Sequence, residues 1–134
     1  MIKILANDGI SKAGIEKLEA NGFYLSTTNI PQEKLISEIN EKEYDVVLVR
    51  SATKIRKDII DQCPSLKMIG RGGVGMDNID VDYAKENGKS VINTPAASSS
   101  SVAELVFAHL FSMVRGLYSA NRRMPMEGDT NFKS

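Results

Sequence analysis

Short apolar runs alternate with amphipathic stretches through the first two-thirds of the chain. Lys3 to Ala6 is a compact apolar run that breaks at Asn7-Asp8-Gly9 and predicts a buried strand. Ser11 then caps a helix with apolar positions Ile15 and Leu18 three apart among Lys12, Glu16, Lys17 and Glu19, and Asn21-Gly22 stops it. Phe23 to Ser26 predicts a second strand. A helix opens near Pro31 and carries Leu35, Ile36 and Ile39 on one face through Lys42. Tyr44 to Val49 is the strongest strand signal, β-branched and nearly all apolar, as for a strand covered on both faces. Asp58 to Cys63 is a short helix stopped by Pro64, Leu66 to Ile69 a fourth strand, Val81 to Asn87 a helix capped by Asp80 and ended by Gly88, and Ser90 to Ile92 a fifth strand.

Strands alternating with helices over short connections imply an α/β fold with a mostly parallel sheet. Five such units predict a flavodoxin-like, doubly wound, five-stranded order with helices on both faces. In open sheets of this kind ligands lie beyond the carboxyl ends of the strands. That rule gathers Asn7-Asp8, Arg50-Ser51, the run Gly70-Arg71-Gly72-Gly73-Val74-Gly75 and Asn93-Thr94-Pro95 at one rim.

The last third has a different pattern. Ser98 to Ser101 is a polar hinge after Pro95, and Ser101 with Glu104 spells a capping box. Val102, Leu105, Val106, Phe107, Leu110, Phe111, Met113, Val114 and Leu117 then cover well over half of a helix circumference. A helix apolar on so many sides is expected to be shared with a second domain or subunit. His109 lies on it among apolar neighbours and reads as a packing residue. From Arg122 to Ser134, with Pro125 and Gly128, no end signal is expected to be recognisable, as if the chain were cut.

Composition narrows the function. The chain has 134 residues, enough for one domain with a real core, and Lys plus Arg balances Asp plus Glu at 17 each. No net field or basic patch points to nucleic acid or an acidic membrane surface. One cysteine and one histidine argue against a disulfide and against a metal site. The amino terminus runs straight into a strand pattern, so the expectation is a soluble, cytoplasmic protein without a leader.

The candidate chemistry sits at the rim. Four glycines in the six residues from Gly70 to Gly75 free the backbone to aim its N–H groups at one anion. The letters also spell a dinucleotide fingerprint, but its context fails twice. The third glycine does not open a helix, and the next strand ends at Asn93 with no carboxylate for a ribose. Arg50 ends the third strand, where a guanidinium can grip a carboxylate or phosphate with paired hydrogen bonds. Two roles stay open for it at this point: ligand anion, or a surface carboxylate such as Asp8. Ser51 alone carries little information. Arg50 and Asn93 stand where a phosphoacceptor receiver on the same fold needs an aspartate and a lysine, which argues against that module.

Three ordered motifs span the chain: Val49-Arg50-Ser51-Ala52-Thr53, Gly70 through Asp80, and Asn93-Thr94-Pro95 leading to Ser101-Val102-Ala103-Glu104-Leu105. Together they resemble the D-2-hydroxyacid dehydrogenase family, most of all its branch oxidising 3-phosphoglycerate in serine biosynthesis. The resemblance implies a substrate-binding domain over residues 1–98. Residues 99–134 would be a long crossover helix and the start of a nucleotide-binding domain that carries NAD. It further implies substrate contacts at Arg50, Ser51, Gly72, Gly73 and Val74, and cofactor contacts at Val74 and Ser98, the latter standing where the family has an asparagine. The family's catalytic arginine, glutamate and histidine match no residue here, so this chain alone is expected to be inactive and the intact enzyme a homo-oligomer. A glyoxylate or hydroxypyruvate reductase of the same family, or a stand-alone ligand-binding module, are the alternatives.

Overall fold

The computed structural model describes residues 1–127, which fall into two compact units, Met1–Ala96 and a second beginning at Ala97. In the first unit, strands β1 (Lys3–Ala6), β2 (Tyr24–Ser26), β3 (Val46–Val49), β4 (Met68–Arg71) and β5 (Ser90–Asn93) form one parallel sheet in the order β2-β1-β3-β4-β5. Its helices are α1 (Lys12–Ala20), α2 (Leu35–Lys42, entered through a 3-10 turn at Gln32–Lys34), α3 (Lys57–Gln62) and α4 (Val81–Glu86). This is the expected flavodoxin-like order, with the direction of winding reversing between β1 and β3.

Right-handed crossovers put α2, α3 and α4 on one face and α1 alone on the other. The core lies on the three-helix face, where Leu5, Val47, Val49 and Ile69 pack with Leu35, Ile39, Ile59, Ile60 and Ala84. The α1 face is thinly covered: Val46, Leu48 and Met68 are only half-buried and Ile92 is exposed. Full cover of both faces, expected from the apolar β3, is therefore a correction for that half of the sheet.

Several boundaries move for local reasons. Tyr44 does not begin β3: its N–H donates to Ile39 O, closing α2 after Glu43 takes a left-handed φ of 56°. β4 starts and ends two residues later than expected and so takes in Gly70 and Arg71. Asp80 precedes α4, yet its side chain does not cap that helix. Its carboxylate instead accepts from Arg56 Nη1 at 2.9 Å and from the Lys57 amide at 3.1 Å, and so serves the first turn of α3.

The second unit contains α5 (Ser99–Val114) and α6 (Leu117–Glu127). α5 begins three residues before Val102, so Ser101 and Glu104 lie inside the helix rather than forming its capping box. It stops short of Leu117 because Gly116 turns the chain with φ 58°. The apolar side chains of α5 are exposed, as is His109, and Phe107 stacks on Phe111 at 6.1 Å between ring centroids. The expected absence of an end signal falls partly on residues 128–134, which lie outside the described residues. Among the described residues no helix is long and apolar enough to cross a membrane.

Candidate substrate cleft

A cleft of about 700 Å³ opens where the winding reverses, beyond the carboxyl ends of β1, β3, β4 and β5. Its floor is a cross-strand row on the α1 face, Leu48, Gly70 and Ile92, paired residue to residue across three strands. A Cβ added at Gly70 would come within 2.7 Å of Leu48 Cδ2, so the leucine end would have to turn aside to admit it. Asp8, Arg50, Arg71, Gly72 and Asn93 form the rim.

The turn carrying Arg50 is held from two sides. Asp8 accepts from the Arg50 amide at 2.6 Å, from the Thr53 amide at 3.1 Å and from Thr53 Oγ1 at 2.5 Å. Asn78 Nδ2 donates to the carbonyls of Arg50 and Thr53 at 2.8 and 2.6 Å. Asn7 Nδ2 reaches the same Thr53 hydroxyl at 2.8 Å. Asp8 thus binds the main chain of Arg50, not its guanidinium, which removes Asp8 as the surface partner considered for that side chain. The guanidinium is exposed, and among the described residues no carboxylate pairs with it. Its stem runs along the glycine loop, where a Cβ on Gly72 would sit 3.7 Å from Arg50 Cγ.

Partial burial alone would raise the Asp8 pKa. The hydrogen bonds from the Thr53 hydroxyl and from the amides of Arg50, Thr53 and Ala52 outweigh it and hold the carboxyl below its ordinary 3.8. A depressed folded-state value gives stability that is whole above 3.8 and is lost as pH falls through the folded value. Asp8→Asn should therefore flatten the acid limb of a melting-temperature profile taken below about pH 5. An unchanged acid limb would show that Asp8 carries none of it.

The glycine loop departs from the expected cup of amides. Gly72 N–H donates to Val49 O at 2.9 Å and Gly73 N–H to Arg71 O at 3.1 Å, so neither is free for a ligand. The N–H groups of Val74 and Gly75, one step further on, have no partner among the described residues. Asn93 Nδ2 holds Val74 O at 2.8 Å, and the Val74 side chain is exposed. Gly72 and Gly73 thus shape the loop while Val74 and Gly75 offer donors. Ser51 is exposed beside Arg50, and Ser98 belongs to the second unit, immediately before α5.

Sequence reading passed over Arg71. It ends β4 as Arg50 ends β3, its Nε donates to Arg50 O at 3.3 Å, and its guanidinium lies against Gly73 and Gly75. The strand-end rule that singled out Arg50 would have found it had β4 been drawn two residues later.

Residues 4–124 match the family model described as D-isomer specific 2-hydroxyacid dehydrogenase, catalytic domain. The chain belongs to this family. A D-3-phosphoglycerate dehydrogenase of Methanocaldococcus jannaschii is 43% identical over 120 residues, covering 90% of this chain and 22% of the relative. A hydroxypyruvate reductase of Thermotoga maritima is 39% identical over 119 residues, covering 88% of this chain and 38% of the relative. Among solved structures, the NAD+-bound 3-phosphoglycerate dehydrogenase of Entamoeba histolytica superposes with a TM-score of 0.68 at 29% identity, over 83% of this chain and 38% of that one. The chain therefore spans about a fifth of the first relative's length. Among the described residues no group of His, Cys, Asp and Glu could hold a metal ion.

Proposed function

We propose that this chain is the acid-binding lobe of an NAD-dependent dehydrogenase that oxidises 3-phosphoglycerate to 3-phosphohydroxypyruvate. One observation carries the reading: the guanidinium of Arg50 stands at the switch point, beside the glycine loop, with no carboxylate partner among the described residues. Arg71 adds a second cation at the same rim, and the Val74 and Gly75 amides add two neutral donors. A ligand with a carboxylate at one end and a phosphate at the other matches two guanidinium groups better than a monoacid does. The role of these residues is to neutralise and orient the acid.

The chain's own loop does not fit a dinucleotide. Gly75 is followed by Met76 and a turn, α4 starts only at Val81, Asp80 is engaged with Arg56 and Lys57, and β5 ends at Asn93. We assign NAD to the part of the enzyme beyond the matched segment, and keep Val74 and Ser98 as the cofactor contacts that the family resemblance implies.

The test is an amide NMR titration of the chain. 3-Phosphoglycerate should give saturable shifts at Arg50, Ser51, Arg71, Val74 and Gly75, while millimolar NAD gives none. Saturable NAD shifts in the loop would overturn the reading. The Thermotoga maritima relative supports a second reading, a hydroxypyruvate reductase. Under that reading glycerate, which lacks the phosphate, would bind as tightly as 3-phosphoglycerate; under ours it binds at least about fivefold more weakly.

A further inference from the structure

The Arg50 turn is attached to the glycine loop through one side chain. Asn78 is 5% exposed and sits between the loop and α4. Its Nδ2 spends both hydrogens on the Arg50 and Thr53 carbonyls. The amide orientation follows from chemistry, since the flipped form would set Oδ1 against two carbonyl oxygens. Oδ1 itself is buried with no partner.

The main chain around Asn78 is tied to the same turn. The Ile55 amide donates to Asn78 O at 2.9 Å, the Asp80 amide donates to Ile55 O at 3.0 Å, and Ile55 and Ile79 form an isolated parallel bridge. The Arg50 carbonyl that accepts from Asn78 also accepts from Arg71 Nε. One buried amide therefore sets the plane of the Arg50 peptide, and that peptide in turn anchors the second guanidinium. Asp8 holds the N–H side of the turn and Asn78 its C=O side.

We propose that Asn78 is a positioning residue of the anion site: it touches no substrate, and it acts by holding the Arg50 peptide so that both guanidinium groups face the cleft. The inference rests on the substrate-site reading of Arg50, and the experiment separates the two.

The probe is 3-phosphoglycerate, titrated into the full 134-residue chain as wild type, Asn78→Ala, Arg50→Ala and the double variant. Asn78→Ser, which keeps a short hydroxyl donor, is the milder companion. Asn78→Ala should weaken binding about tenfold in the wild-type background and by clearly less in the Arg50→Ala background, which loses the first guanidinium but keeps the Arg50 carbonyl that anchors Arg71. Asn78→Ser should fall between wild type and Asn78→Ala. An equal loss in both backgrounds overturns the proposal, and so does full-strength binding by Asn78→Ala. Loss of the dispersed core resonances of Leu5 and Val47 in both Asn78 variants would make it a folding residue and overturn it as well. If Arg50→Ala itself binds like wild type, the substrate-site reading fails and takes the positioning role with it.

Discussion

Arg50→Ala should weaken binding of 3-phosphoglycerate to this chain at least tenfold, about 1.4 kcal/mol, and raise KM by at least as much in a dehydrogenase that contains it. The reasoning starts from what the guanidinium is not doing. Asp8, the nearest candidate to neutralise it, is saturated by the Arg50 and Thr53 amides and the Thr53 hydroxyl. No other carboxylate among the described residues pairs with it. Removing the side chain therefore leaves no buried charge behind, and the loss in binding is close to the value of the ion pair with the ligand. Arg50→Lys keeps the charge but not the planar fork, so it should recover only part of the affinity. Isothermal titration on the three proteins is the check, and equal constants for all three would remove Arg50 from the site.

The second large effect is on folding. Ile69→Ala should cost about 2–5 kcal/mol and lower the melting temperature by 10 °C or more, roughly. Ile69 is fully buried in β4, paired with Val47 on one side and Val91 on the other. Its side chain belongs to the single core between the sheet and the three helices α2, α3 and α4. The neighbours that would have to close the cavity are β-branched strand residues with little freedom to move. Chemical denaturation followed by circular dichroism measures this directly. A cost below 1 kcal/mol, roughly, would mean that the core collapses around the gap.

Strand and helix content was legible because the apolar runs are short, separated by good breakers and spaced for βαβ units, which leaves few ways to connect them. The rim was legible for the same reason, since the carboxyl ends of parallel strands must share an edge. What escaped the sequence was where individual polar groups spend their hydrogen bonds. Asp80 is a good cap by type and position, but the Arg56 guanidinium and the Lys57 amide lie across from it and take its carboxylate. Gly72 and Gly73 read as free amides, but pairing of β4 with β3 runs one residue past the strand and consumes the first. Arg71 was hidden by a boundary error of two residues. Asn78, one of three polar residues in the stretch Met76 to Asp80, has no local signal, because its partners are 25 and 28 positions away.

The floor of the cleft has a consequence for ligand choice. Leu48, Gly70 and Ile92 present hydrocarbon and bare backbone, with the Leu48 side chain leaning over the middle position. Water lying on such a surface is poorly held and is released at little cost by carbon. Sulfate or inorganic phosphate can engage the cations above but leaves that water in place. The three-carbon acid proposed above would cover it, and on that proposal the lobe should select by skeleton as well as by charge.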